Sequence, residues 1–303
     1  HQHKRKGINL GECRVWPGSE DLDPSGVYVA CEGASPQGGS GSFLGGVSTT
    51  KNLTIKGLDA RTLDQMSGLP LLDSNPGAPV TIHLDFNGNF IGDWWYNSGN
   101  TSVHYYNVTT PAFSLDNDPS TFNTDEQNLI REIWARVAED YSPFNINVST
   151  AYYGTFENGT ALKVNIGGSN MDWLKSNSSG IASIGSFSDN APNQVFVFDL
   201  AAWARAGVTD GDGNVLVAAA AIATTASHEA GHAFGLRHNA LYKVDGTKIT
   251  DYNPGTNGWT PIMGDNLAGD RTTWDAGKTD LGAGTMQDDV AVLTRPINGF
   301  GFR

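Results

Sequence analysis

The chain has 303 residues, enough to bury a substantial core in one large domain, alone or with a smaller attachment. Its 32 Asp and Glu against 19 Lys and Arg leave a net charge of -13, which argues against nucleic acid and anionic membrane surfaces as partners. Charged residues make up only 17% while Gly, Asn, Ser and Thr abound, a balance typical of secreted proteins with long loops, and no apolar run is long enough for a transmembrane segment.

The first residue is His1, with no initiator Met and no signal peptide, so the sequence reads as a mature or trimmed form. Residues 1–76 are rich in Gly, Ser and Pro and form an N-terminal segment, a pro-region or a small accessory unit. Both cysteines, Cys13 and Cys31, lie in it, and their even number in a secreted setting favours one disulfide closing a short loop. Asn75-Pro76-Gly77-Ala78-Pro79 punctuates a boundary, and residues 77–303 form the main domain. Val80, Ile82, Leu84 and Phe86 alternate with polar residues and predict a half-buried strand. Thr124 and Gln127 have capping-box spacing, and Leu129, Ile130, Ile133, Trp134 and Val137 continue it with helical periodicity.

Ile146–Val148, Leu162–Ile166 and Val195–Phe198 read as further strands. Asp210-Gly211-Asp212-Gly213-Asn214 has the look of a calcium loop, yet Ala221 stands where an EF-hand needs a carboxylate. A polar turn is the preferred reading, and a structural Ca2+ is left open. His83 and His104 read as ordinary strand or loop histidines rather than ligands, and Asp288-Asp289 as a polar pair without chemistry.

The chemistry concentrates in His228-Glu229-Ala230-Gly231-His232-Ala233-Phe234-Gly235-Leu236-Arg237-His238. On a helix, His228 and His232 stand one turn apart on one face, so both imidazoles reach a single ion. Gly235 can end the helix and turn the chain, which brings His238 back as a third ligand. Three protein ligands leave the fourth position of Zn2+ open, the mark of a catalytic site. Glu229 sits beside the first ligand, where a carboxylate takes a proton from a zinc-activated water and later returns one to the leaving amine. A buried pair of histidines without a metal would instead leave several polar nitrogens to satisfy.

This eleven-residue pattern resembles the signature of the metzincin clan of zinc endopeptidases. Pro261-Ile262-Met263-Gly264 is similar to the clan's Met-turn, in which the methionine, here Met263, forms an apolar floor under the metal. Leu84–Gly88, Val137–Asn145, Trp259–Gly264 and Asn298–Arg303 extend the likeness to a group of secreted bacterial metzincin-like proteins. The resemblance implies an α+β catalytic domain with a mixed, twisted sheet, a zinc-binding active-site helix and an irregular C-terminal subdomain. It implies one catalytic Zn2+, a protein or peptide substrate and a secreted or cell-surface setting.

Gly180–Phe187 resembles the edge strand above the clan's cleft, with Ile181, Ala182, Ser183 and Ile184 lining a substrate groove. Some clan zymogens block the zinc with a propeptide cysteine, a second reading for Cys13 beside the disulfide. One departure stands out: several clan families carry a tyrosine two residues after the Met-turn methionine, and this chain has Asp265 there. The competing expectation is a cell-surface or matrix binding module that keeps zinc for stability, motivated by Trp94, Trp95, Tyr96, Tyr105 and Tyr106. Oligomeric state has no signal in the sequence.

Overall fold

The computed structural model describes residues 27–31, 68–98, 101–116, 118–152, 154–176, 178–198, 216–265 and 271–303. Cys13, the rest of the N-terminal segment and the Asp210–Asn214 loop lie outside the described residues, as does the Cys31 side chain.

The elements in chain order are β1 (Val27–Cys31), β2 (Val80–Asp85), β3 (Asn89–Ser98), β4 (Thr101–Thr110) and helix α1 (Thr124–Asp140). There follow β5 (Ile146–Ser149), β6 (Ala161–Ile166), β7 (Ser178–Ser183), β8 (Gln194–Val197) and helix α2 (Leu216–Ala233). Past α2 come only short pieces: β9 (Leu241–Tyr242), β10 (Lys248–Thr250), β11 (Trp259–Pro261), β12 (Arg271–Thr273), β13 (Ala276–Lys278), β14 (Met286–Asp288) and helix α3 (Asp289–Leu293). The protein is therefore α+β, with a mixed, mostly parallel sheet and an irregular C-terminal part.

The six-stranded sheet runs β1-β7-β8-β6-β2-β5. Strands β5, β2, β6 and β8 are parallel, while β7 is antiparallel to β8 and carries β1 antiparallel on its other side. Parallel strands need cover on both faces, and the side chains divide accordingly. Ala182, Val195 and Val197 join the core with Ala219, Ile222, Ala223 and Ala226 of α2 and Ile130, Ile133 and Val137 of α1. The alternate residues Ile181 and Phe196, cross-strand partners, join Trp94 and Val108 of the β3–β4 hairpin in a second cluster.

One correction concerns strand β2. Strand β2 is buried along its whole length, Thr81, His83 and Asp85 included, rather than on one face. Alternation in a sequence records polarity, and here the polar face finds partners of its own. Asp85 pairs with Lys163 at 2.8 Å, and His83 packs against Tyr152 and Phe156.

A second correction concerns the start of α1. The cap is Asn123, not Thr124: its side chain accepts from Asp125 N and Glu126 N, and Glu126 returns a bond to Asn123 N at 2.8 Å. The second Glu126 oxygen accepts from Leu115 N at 2.6 Å, so the capping residue also anchors the chain that leads into the helix. Residues ahead of the Asn75–Pro79 punctuation already pack on this body. Leu69 is in the core, and Thr150 donates to Pro70 O while accepting from Leu72 N.

Candidate metal centre

Helix α2 is almost wholly buried around the motif, because its small residues Ala226, Ala230 and Ala233 let the sheet approach closely. His228 and His232 lie on one face, with ring centroids 4.7 Å apart. The helix then stops as its sequence dictates. Gly235 adopts φ +100°, a conformation that side-chain-bearing residues rarely take, and Gly235 N and Leu236 N donate to His232 O and Gly231 O. The reversed chain sets His238 against both helical histidines, with centroids 5.1 Å from His228 and 4.7 Å from His232. One ligand atom from each of the three lies within 4.8 Å of the others, and His232 Nε2 and His238 Nε2 are 3.1 Å apart.

The other ring nitrogens show how the first two imidazoles are aimed. His228 Nδ1 is 2.7 Å from Ile262 O, and His232 Nδ1 is 2.7 Å from Leu236 O. Each carbonyl fixes the tautomer with the proton on Nδ1, so that Nε2 carries the lone pair a metal requires. Burial drives all three toward the neutral form: His228 falls to about 4, and His232 and His238 lie well below the usual histidine value. Neutral imidazole is the ligating species.

Glu229 points to the same conclusion. It is completely buried, neither carboxylate oxygen has a hydrogen-bond partner, and burial pushes its pKa well above the ordinary range. His228 Nε2 likewise has no partner. A partnerless buried carboxylate beside three convergent neutral histidines is costly without a cation and a water. The donor set and these orphaned atoms fit Zn2+.

Met263 is fully buried under the helix, where a Cβ on Gly231 would meet its Sδ at 2.8 Å. Its turn is closed by Gly264 N donating to Pro261 O, and its carbonyl accepts from Asn239 N at 2.7 Å. The turn thus holds one ligand and the neighbour of another: Ile262 O faces His228 Nδ1, and Met263 O accepts from Asn239 N, the residue after His238.

Four residues escaped the sequence reading. Gly180 of β7 lies so close to Glu229 that an added Cβ would be 2.5 Å from Oε1. Tyr252 packs on His238 with ring centroids 4.3 Å apart, so an aromatic flanks the third histidine although none follows Met263. Gln287 and Asp289 bracket the loop that carries His238, and their role is argued below. None has a local signature, since each meets the motif from a distant part of the chain. Ile181, Ala182 and Ser183 lie in β7 as expected, whereas Ile184 falls in the turn beyond it. That turn grips the helix end, with Gly185 N donating to His232 O and Phe187 N to Ala233 O.

A family model described as Metallo-peptidase family M12B Reprolysin-like matches residues 107–239. The match supports a metzincin-clan zinc metallopeptidase. It spans α1, four sheet strands, α2 and all three histidines, and stops just short of the Met263 turn. No curated protein and no solved structure matches the chain.

His83 and His104 stand apart from the centre. His104 pairs with Asp93 on the outer hairpin face at 2.8 Å. His83 is held neutral by burial, with its pKa lowered from 6.5 to about 4. Its folded value lies below its unfolded one, so its stability contribution is complete above pH 6.5 and drains away as pH falls toward 4. Replacing His83 with Phe is expected to remove up to about 3 kcal/mol of acid sensitivity over that window. Urea melts of both proteins at neutral pH and at mildly acid pH check this, and parallel losses would contradict it.

Proposed function

We propose that the chain is a secreted zinc-dependent endopeptidase, with His228, His232 and His238 as the metal ligands and Glu229 as general base and acid. The observation that carries this reading is the Glu229 carboxylate, buried without a partner beside three convergent imidazoles. Zn2+ bound there would supply Lewis acidity and bring the pKa of a coordinated water toward neutrality. In this reading the Glu229 carboxylate accepts a proton from the water, then delivers it to the amine released from the cut peptide. Burial raises its pKa, which makes the carboxylate a stronger base than an exposed one. Gly180 lies directly against the carboxylate, which is wholly buried.

Strand β7 lies between β1 and β8 rather than at the edge expected of it. An extended peptide would add to its backbone at Ile181, Ala182 and Ser183, with Ile184 in the turn beyond, only where β1 gives way. Its outer side carries β1, with Val29 opposite Ile181 and Tyr28 opposite Ala182. A substrate there therefore takes the place of β1, consistent with residues 1–76 acting as a pro-region for a peptidase spanning 77–303. Cutting the chain between Cys31 and Gly68 is expected to raise the rate, and equal rates would remove β1 from the account.

The reading also assigns the chain to a group of secreted bacterial metzincin-like proteins, a setting in which a Cys13–Cys31 disulfide would form. A binding module with a purely structural zinc is the weaker reading, since it has no use for a buried, partnerless carboxylate. Mass spectrometry of an unfolded protein substrate tests the activity. Internal peptide bonds should be cut, with cleavage lost on chelation and restored by Zn2+. Release of terminal residues alone, or chelator-resistant cleavage, would overturn the assignment.

A further inference from the structure

Two of the three histidines are fixed by the rigidity of α2 and by carbonyls on their Nδ1 atoms. His238 comes after the helix has ended, so its position depends on what holds the loop. The side chains that hold it come from β14 and the first turn of α3, some fifty residues further along the chain.

Gln287 binds the residue before the ligand with both ends of its amide. Its Oε1 accepts from Arg237 N at 3.0 Å, and its Nε2 donates to Arg237 O at 2.8 Å. The same Nε2 donates to Asp289 Oδ1 at 2.9 Å. Asp289, fully buried, accepts at Oδ2 from the Asn239 side-chain amide at 3.3 Å and from Asp275 N at 3.1 Å, while its own N–H donates to Asp275 O. His238 is thus bracketed on both sides, through the Arg237 backbone and the Asn239 side chain, by one connected pair. Every donor and acceptor in this chain of bonds has a definite direction, so it fixes one placement of the loop rather than a range.

We propose that Gln287 and Asp289 are positioning residues for the third metal ligand, and that they set how tightly the histidine triad holds its ion. The proposal rests on the zinc reading above and extends it to residues outside the motif. A group that only stabilises the fold would contribute equally with and without metal, leaving the affinity of the folded protein untouched. A group that pre-places His238 lowers the reorganisation required on binding, so its loss weakens affinity.

The test uses the protein with Gln287→Met, which keeps the length of the side chain and removes all three of its hydrogen bonds. Gln287→Glu is the second variant; it puts a carboxylate oxygen against Arg237 O and Asp289. Zn2+ affinity is measured by competition with a chromogenic chelator, and Co2+ is substituted to report ligand geometry by visible absorption. Melting of the metal-free proteins is recorded alongside. Roughly a 10- to 100-fold weaker Zn2+ affinity is expected for Gln287→Met, as for other residues that orient metal ligands, with a larger loss for Gln287→Glu and an altered Co2+ spectrum in both. Wild-type affinity and an unchanged spectrum, with only the melting temperature lowered, would overturn the proposal. Failure of the wild-type chain to bind Zn2+ stoichiometrically would instead overturn the metal-centre reading itself, and this inference with it.

Discussion

Glu229→Gln should abolish most peptide hydrolysis while leaving metal binding in place. The amide matches the carboxylate in shape, and the three imidazoles that surround the ion are untouched, so the zinc content should stay at the wild-type level. What disappears is the buried, partnerless carboxylate that follows His228 in the helix and is assigned to take and return a proton. General acid–base catalysis of this kind contributes roughly 10²- to 10⁴-fold, about 3–5 kcal/mol of barrier. A second effect has the opposite sign. In the metal-free protein the buried carboxylate has no partner, and a neutral amide is cheaper to bury there. The metal-free variant should therefore melt at or above the wild-type temperature. Turnover within tenfold of wild type would remove Glu229 from the mechanism.

Gly180→Val tests the same carboxylate from the other side. Gly180 is in the middle of β7, where valine has a better intrinsic preference for strand than glycine. Yet its Cβ would fall 2.5 Å from Glu229 Oε1 and 2.8 Å from Cδ, far inside van der Waals contact. The glutamate has to swing out of its place. No histidine is near this Cβ, so metal binding should survive while kcat/KM falls by roughly 10²-fold or more, the lower end of a general base's contribution. Near-normal activity with normal zinc content would mean that the observed position of Glu229 is not the working one.

Much of the centre was legible in the sequence because its chemistry is local. The i, i+4 spacing puts His228 and His232 on one helical face, and glycine at 235 is what a left-handed helix end requires. Met263 could be read from its turn alone. The contacts that complete the site are long-range and leave no periodic trace. Gly180 reads as an unremarkable strand glycine until β7 is laid against α2. Asp288-Asp289 reads as a polar pair, but Asp288 caps α3 through Ala291 N while Asp289 turns inward to the His238 loop. Helix α3 begins only at Asp289, because Gln287 belongs to β14 and spends its amide on Arg237.

The fold divides in the same way. Strands β2, β5, β6 and β8 follow from apolar runs, and α1 from its periodicity, with its cap displaced by one residue. The β3–β4 hairpin did not emerge as an element, although its aromatics were conspicuous. Its Trp94 is read correctly only with its partners, donating from Nε1 to Gln194 O at 2.8 Å and meeting Phe196 edge-on at 5.4 Å. Trp94, Tyr96 and Tyr105 build a second core on the far face of the sheet, whereas Trp95 and the exposed Tyr106 stack on His104 outside it.

The most direct measurement is a Zn2+ titration of the metal-free chain, following hydrolysis of an internally quenched peptide. Activity should rise linearly and level off at one equivalent, and His238→Ala should show no such rise. Full activity without added metal, or a plateau unchanged in His238→Ala, would contradict a single catalytic zinc held by the three histidines.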